Sequence, residues 1–208
     1  MTGLAAAILM AASCGQGTPE AGNAQQADAR PVSATWSLDT AGSSIAFASI
    51  KAGELIESHT FAGLSGQISP DGEAEIDIPL DKVETKIDLR NERMREMFFE
   101  TGTYPVATIN ASVDPEAFAD LPVGGRTKAE ITGELSLHGV EAPVYADVFV
   151  TRIGDARIEV ASAEPVVVNV AEFNLDNGLE RLREVAGLPS ITPASPVTFT
   201  FVFEAEDE

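Results

Sequence analysis

Between positions 128 and 138, small or apolar residues (Ala129, Ile131, Gly133, Leu135, Leu137) alternate without a slip with Lys128, Glu130, Thr132, Glu134, Ser136 and His138. A period of two sustained over that length specifies a β-strand with one dry face and one wet face. The same alternation recurs in Ala74-Ile76-Ile78-Leu80, in Val144-Ala146-Val148-Val150 and in Val197-Phe199-Phe201-Phe203. Strands of this kind cannot stay apart in water. Their dry faces must close on a shared interior, and any open edge invites aggregation.

Further strands are expected at 36–39 and 44–50, on either side of the turn 40–43, and at 61–68, 73–80, 106–113, 157–162, 166–170 and 197–203. Ser69-Pro70-Asp71-Gly72 is a turn signal. Residues 114–126 read as a long polar loop. Two segments break the rhythm. Residues 90–100 carry Met94, Met97 and Phe98 at helical spacing with Asn91 as the expected N-cap, and residues 178–186 carry Leu179, Leu182 and Val185 on one face. Eight or nine strands, two short helices and no strand–helix alternation predict an all-β antiparallel domain, most simply a closed, eight-stranded up-and-down barrel. Several inward positions are small (Ala74, Ala129, Gly133, Ala146). Small residues inside a barrel either taper a packed core or leave a channel, and the residues alone favour the packed core without excluding the channel.

Composition narrows the function classes. Of 208 residues 44% are hydrophobic, enough for a core, and the formal net charge is −20. Such a surface repels nucleic acid and anionic headgroups, so no nucleic-acid partner is expected. Cys14 is the single cysteine, which excludes a disulfide within the chain and any multi-cysteine metal site. There is no nucleophile elbow, no phosphate-cradling glycine loop and no zinc-binding HExxH. Asp71, Glu73, Glu75 and Asp77 share a strand face but lack a calcium-loop pattern. No catalytic residue, no metal and no required cofactor are therefore expected. His138, on the polar phase of its strand, reads as a solvent-facing or turn-stabilising residue, and His59 has no partner at a telling spacing. Arg90, Arg93 and Arg95 are expected to form ordinary surface pairs with Asp88, Glu92 and Glu96.

The apolar run 4–12 is too short to span a bilayer and fits a secretory signal. Ala11-Ala12-Ser13-Cys14 resembles a bacterial lipoprotein signal, which implies lipid attachment at Cys14. Residues 15–34, rich in Gly, Ala, Gln and Pro, read as a flexible linker reaching on the order of 25 Å. The expected organisation is a signal at 1–14, a linker at 15–34 and one barrel domain at 35–208.

Three blocks carry a wider resemblance: Trp36-Ser37-Leu38-Asp39 with Ser44 and Phe47; residues 83–94 (VETKIDLRNERM) with Phe98-Phe99 and Tyr104-Pro105; and residues 133–144 (GELSLHGVEAPV). In this order they resemble the YceI-like, polyisoprenoid-binding proteins over most of 36–204. The resemblance implies a lipocalin-like barrel with an elongated apolar cavity for a long isoprenoid chain, such as a polyprenyl quinone tail. It also implies a place on the periplasmic side of a bacterial envelope. Its wall would be built by Phe47, Ile76, Ile78, Ile109, Ile131, Leu135, Leu137, Val148, Phe199 and Phe201, with Met94, Met97 and Phe98 over one opening. The bound molecule would be a polyisoprenoid or isoprenoid quinone, and the partners that lipid and, through lipidated Cys14, a membrane; a homodimer stays open. Asn91 stands where the family often has Asp, and Arg93 where it often has His. Two rival readings remain at this stage: an interaction module with a packed barrel, and an enzyme acting on a lipid or quinone.

Overall fold

The computed structural model describes residues 34–206. Eight antiparallel strands follow one another around a closed barrel. Four of them are interrupted. β1 comprises Trp36–Leu38 and Ser44–Lys51, and β2 comprises Leu55–Phe61 and Ser65–Ile68. β3 comprises Glu73–Pro79 and Val83–Glu84, and β7 comprises Arg157–Ser162 and Val166–Asn169. The unbroken strands are β4 (Val106–Ser112), β5 (Arg126–Leu137), β6 (Val140–Gly154) and β8 (Ala194–Ala205). Closure is made by β8, which pairs with β7 on one side and β1 on the other: Phe203 faces Ile158 and Leu38, and Phe199 faces Ile45.

The interruptions are built, not frayed. β1 and β2 break side by side, where Thr40 Oγ1 donates to the Leu64 carbonyl at 2.8 Å and Leu64 is driven into the core. At the same break, Arg157 Nη2 bonds Asp39 Oδ2 at 2.6 Å. These kinks let short strands curve tightly enough to close.

The two barrel ends differ. One holds the turns 69–72 and 113–125 and the chain ends, where Glu206 N donates to the Thr35 carbonyl. The other holds the β1–β2 turn, α1 (Asp88–Arg93) with the π-helical turn Met94–Phe98 that continues it, and α2 (Asp176–Val185). The hairpin joining β5 and β6 is tight. It turns at His138 (φ 53) and Gly139 (φ 75), and a Cβ on Gly139 would lie 2.8 Å from Tyr104 Cε1.

Three local expectations are corrected. α1 begins at Asp88, so Asn91 is not its N-cap; it is buried, and its Oδ1 accepts hydrogen bonds from Thr85 N (2.8 Å) and Thr85 Oγ1 (2.5 Å). Arg90 does not pair along its own helix but reaches across to Glu57 on β2. His138 is not solvent-facing: its side chain is 13% exposed and its ring packs on Tyr104 at 4.4 Å between centroids, although its turn-forming role stands.

Candidate functional site

The dry faces meet around a hollow. Along β5 the inward residues Ile131 and Gly133 are only half-buried, although they face the barrel interior; the area they leave uncovered is cavity surface. The cavity has a volume of about 930 Å³. Its wall includes Phe47, Ile76, Ile78, Met94, Phe98, Ile109, Ile131, Leu135, Leu137, Val148, Phe199 and Phe201. The small residues Ala74, Ala111, Gly133 and Ala146 also lie on it, whereas Ala129 does not.

Met97, expected among these residues, is absent from the wall. Helical spacing of 3.6 places 94, 97 and 98 on one face, but this segment is a π turn, which is wider. Met94 and Phe98 stay inward, Phe99 joins them, and Met97 turns toward α2, where its carbonyl accepts from Arg181 Nη2 at 2.7 Å. Aromatic rings follow one another along the wall: Phe47 on Phe61 at 5.3 Å, Phe61 on Phe99 at 5.7 Å, and Phe99 on Phe98 at 4.8 Å between centroids.

The cavity reaches the surface at the helical end. Its lining residues there include the exposed apolar side chains Leu55 (56%), Ile56 (70%), Ile87 (51%) and Leu89 (54%). Val185 and Leu188, at the C-terminal end of α2, complete this rim. An apolar rim open to water around an apolar tunnel is the geometry of a mouth for a hydrocarbon.

Polar groups gather on one side of that mouth, on β1, β2 and α1. Glu57 accepts two bonds from Arg90 Nη1 (3.0 and 2.9 Å) and one from Lys51 Nζ. Arg90 Nη2 also donates to the Thr85 carbonyl at 2.5 Å. The hydrogen bonds from Lys51 and then Arg90 hold the Glu57 carboxyl down at a pKa of about 2. Two residues further along β2 the inward position is His59, 3% exposed, whose Nε2 lies 2.9 Å from Ser49 Oγ. Burial, helped by nearby Arg90, pushes the imidazole down to about 4, so it is neutral at ordinary pH.

The inward phase of the first segment of β2 is thus Leu55, Glu57, His59, Phe61. Two polar residues interrupt the dry face, so the alternation signal that marks the other strands is missing for 55–60. Glu57 carries no sequence signal for the same reason, and His59, which has no partner at a telling spacing along the chain, finds Ser49 on the neighbouring strand.

Ser49 and His59 form a hydroxyl–imidazole pair in the wall, and among the described residues no group of three or more His, Cys, Asp or Glu side chains is placed to hold a metal ion. The arrangement can enclose an apolar chain and meet a small polar group near the mouth.

Residues 36–204 match the YceI-like domain family. Among solved structures, the chain is 40% identical to a polyisoprenoid binding domain from Saccharophagus degradans implicated in plant cell wall breakdown, with a TM-score of 0.80 over 82% of this chain and 98% of that one. It is 22% identical to Burkholderia cenocepacia BcnA, with a TM-score of 0.62 over 79% and 98% of the two chains, a likeness of fold. No curated protein sequence matches significantly. A barrel with this strand order, helices over one end, and a family match covering nearly all of it lead to one assignment: the chain belongs to the YceI-like domain family.

Proposed function

We propose that this protein holds an isoprenoid lipid, tail inward, in the barrel cavity, and carries or protects it without covalent chemistry. The observation that carries the reading is the apolar tunnel of about 930 Å³ open at one end. That is roughly six times the ~150 Å³ apolar cavity that takes one benzene, so it has room on the order of thirty carbons. A packed interaction module has no use for such a void, since empty apolar space forfeits dispersion contacts.

The energetics set a minimum tail length. Ten buried methylenes contribute about 8 kcal/mol gross. Association and ordering of the chain offset at least about 4 kcal/mol of this. Micromolar binding needs about 8 kcal/mol net, so the tail must exceed ten carbons. The Saccharophagus relative, described as polyisoprenoid binding, supports an isoprenoid over a short fatty acid.

The location belongs to the same proposal: the periplasmic side of a bacterial envelope, with Cys14 lipidated. Cys14 and the signal and linker lie outside the described residues. The chain enters the barrel at the end opposite the mouth, so an anchor there would leave the mouth free.

The test is organic extraction of protein purified from a bacterial envelope, followed by mass spectrometry. The expected result is a prenyl lipid in near-stoichiometric amount. Extracts no richer in lipid than those of an unrelated envelope protein would refute the carrier reading.

A further inference from the structure

The tunnel accounts for a hydrocarbon tail and leaves the polar end of the ligand unassigned. His59 is a buried side chain in the tunnel wall. Ser49 Oγ satisfies its Nε2 at 2.9 Å, but its Nδ1 is buried with no hydrogen-bond partner. Arg90 Nε, nearer the mouth, is buried without a partner as well. Buried polar atoms without partners are rare, and each weakens the fold unless something else satisfies it.

The chemistry of the pair is specific. A serine hydroxyl can donate or accept, and a neutral imidazole carries one proton on either nitrogen. When Ser49 donates to Nε2, Nδ1 bears the proton and is a donor. When Nε2–H donates to Ser49, Nδ1 is an acceptor. Both arrangements use the same heavy-atom positions, and burial keeps the ring neutral so that both are open.

Glu57 pairs with Lys51 and Arg90, which with Arg93 make three cations against one carboxylate in the wall; none of them is a hydrogen-bond partner of His59 Nδ1, so the atom left open belongs to a neutral ring. His59 lies four residues below Leu55 at the rim, about 13 Å along the strand. A headgroup there would sit under the Glu57–Arg90 pair with its tail running into the barrel.

We infer that His59 and Ser49 form the binding site for an uncharged oxygen of the ligand headgroup, a carbonyl in one form and a hydroxyl in the other, as in a quinone and its quinol. The inference rests on the lipid-cavity reading above.

The probes are a ubiquinone with a three-unit prenyl tail, its quinol, farnesyl diphosphate and squalene, which has no oxygen. Each is equilibrated with the intact protein, and the bound fraction is measured by extraction and mass spectrometry. The wild type is expected to bind quinone and quinol within about threefold of each other. His59→Phe, of similar size, is expected to weaken both about tenfold, the value of one hydrogen bond, and to leave squalene within about twofold. His59→Asn, which restores a polar atom near Nδ1, should recover part of the loss. Far-UV circular dichroism confirms that each variant is folded. Equal weakening of squalene and quinone by His59→Phe, or no weakening of either, overturns the headgroup site. So does tighter binding of the diphosphate than of the quinone by the wild type. Wild-type binding of squalene but not quinone defeats this inference alone, whereas binding of neither defeats the cavity reading with it.

Discussion

Asn91 and His59 show how much a single buried polar residue fixes in this barrel. Asn91 Oδ1 receives both the amide and the hydroxyl of Thr85, all within the core, and so ties the loop before α1 to the helix. Replacement of Asn91 by Leu strands two buried donors and is expected to cost about 2–4 kcal/mol, read as a lower urea midpoint at unchanged slope. A midpoint within experimental error of the wild type would contradict this. His59 sets a pH dependence. The groups around it are Arg90, Glu57, Lys51 and Lys86, and its folded pKa is about 4 against about 6.5 unfolded. Between these values the unfolded chain binds the proton and the native barrel does not, so stability is full above pH 6.5 and falls as pH drops toward 4. Glu57, lowered to about 2, acts in the same direction but only below about pH 4.5. Unfolding free energy should therefore drop between pH 7 and pH 5 in the wild type and stay nearly level there in His59→Phe; parallel profiles would contradict the assignment. Neither residue could be read from the sequence. Asn91 resembles a cap from its local neighbours, and its real partner is set by a turn that brings Thr85 back. His59 stands where a hydrophobic pattern is expected, and only closure of the barrel shows that it points inward.

Among the elements, the contact of α2 with the π turn decides the shape of the helical end. Gly178 lies in the first turns of α2, where glycine ordinarily weakens a helix by about 1 kcal/mol relative to alanine. Here a Cβ would fall 2.8 Å from the Met97 carbonyl oxygen and 2.9 Å from Phe98 Cα, both backbone atoms that cannot swing aside. Gly178→Ala is therefore expected to destabilise by roughly 1–3 kcal/mol instead of stabilising, by pushing α2 off the turn. A thermal melt at or above the wild-type temperature would show that the helices are not packed this closely. The unbroken strands and α2 were legible because each follows one period, two or 3.6, for most of its length. The π turn was not, since a wider turn leaves no period of its own in five residues, and it moved Met97 off the wall while bringing in Phe99. The interruptions of β1 and β2 were also hidden: Thr40 and Leu64 meet only after the two strands pair.

For the whole molecule, alternation along the strands fixes an all-β barrel but does not decide whether it is filled. Ala74, Ala111 and Ala146 could have opposed bulky partners; instead they oppose open space. An occupied cavity also changes stability. Ligand that binds only the folded state adds about 2.7 kcal/mol at a hundredfold excess over its dissociation constant, so delipidated protein is expected to unfold at lower urea and to recover on adding a polyprenyl quinone. Identical curves with and without the lipid would argue against an internal site. The most direct test fills the tunnel from within. Ala146→Phe places a ring in the hollow midway along β6, away from the helical end. Binding of a long-tailed polyprenyl quinone should fall at least tenfold in this variant while its unfolding curve stays at or above that of the empty wild-type barrel; undiminished binding would mean that the lipid does not occupy the tunnel.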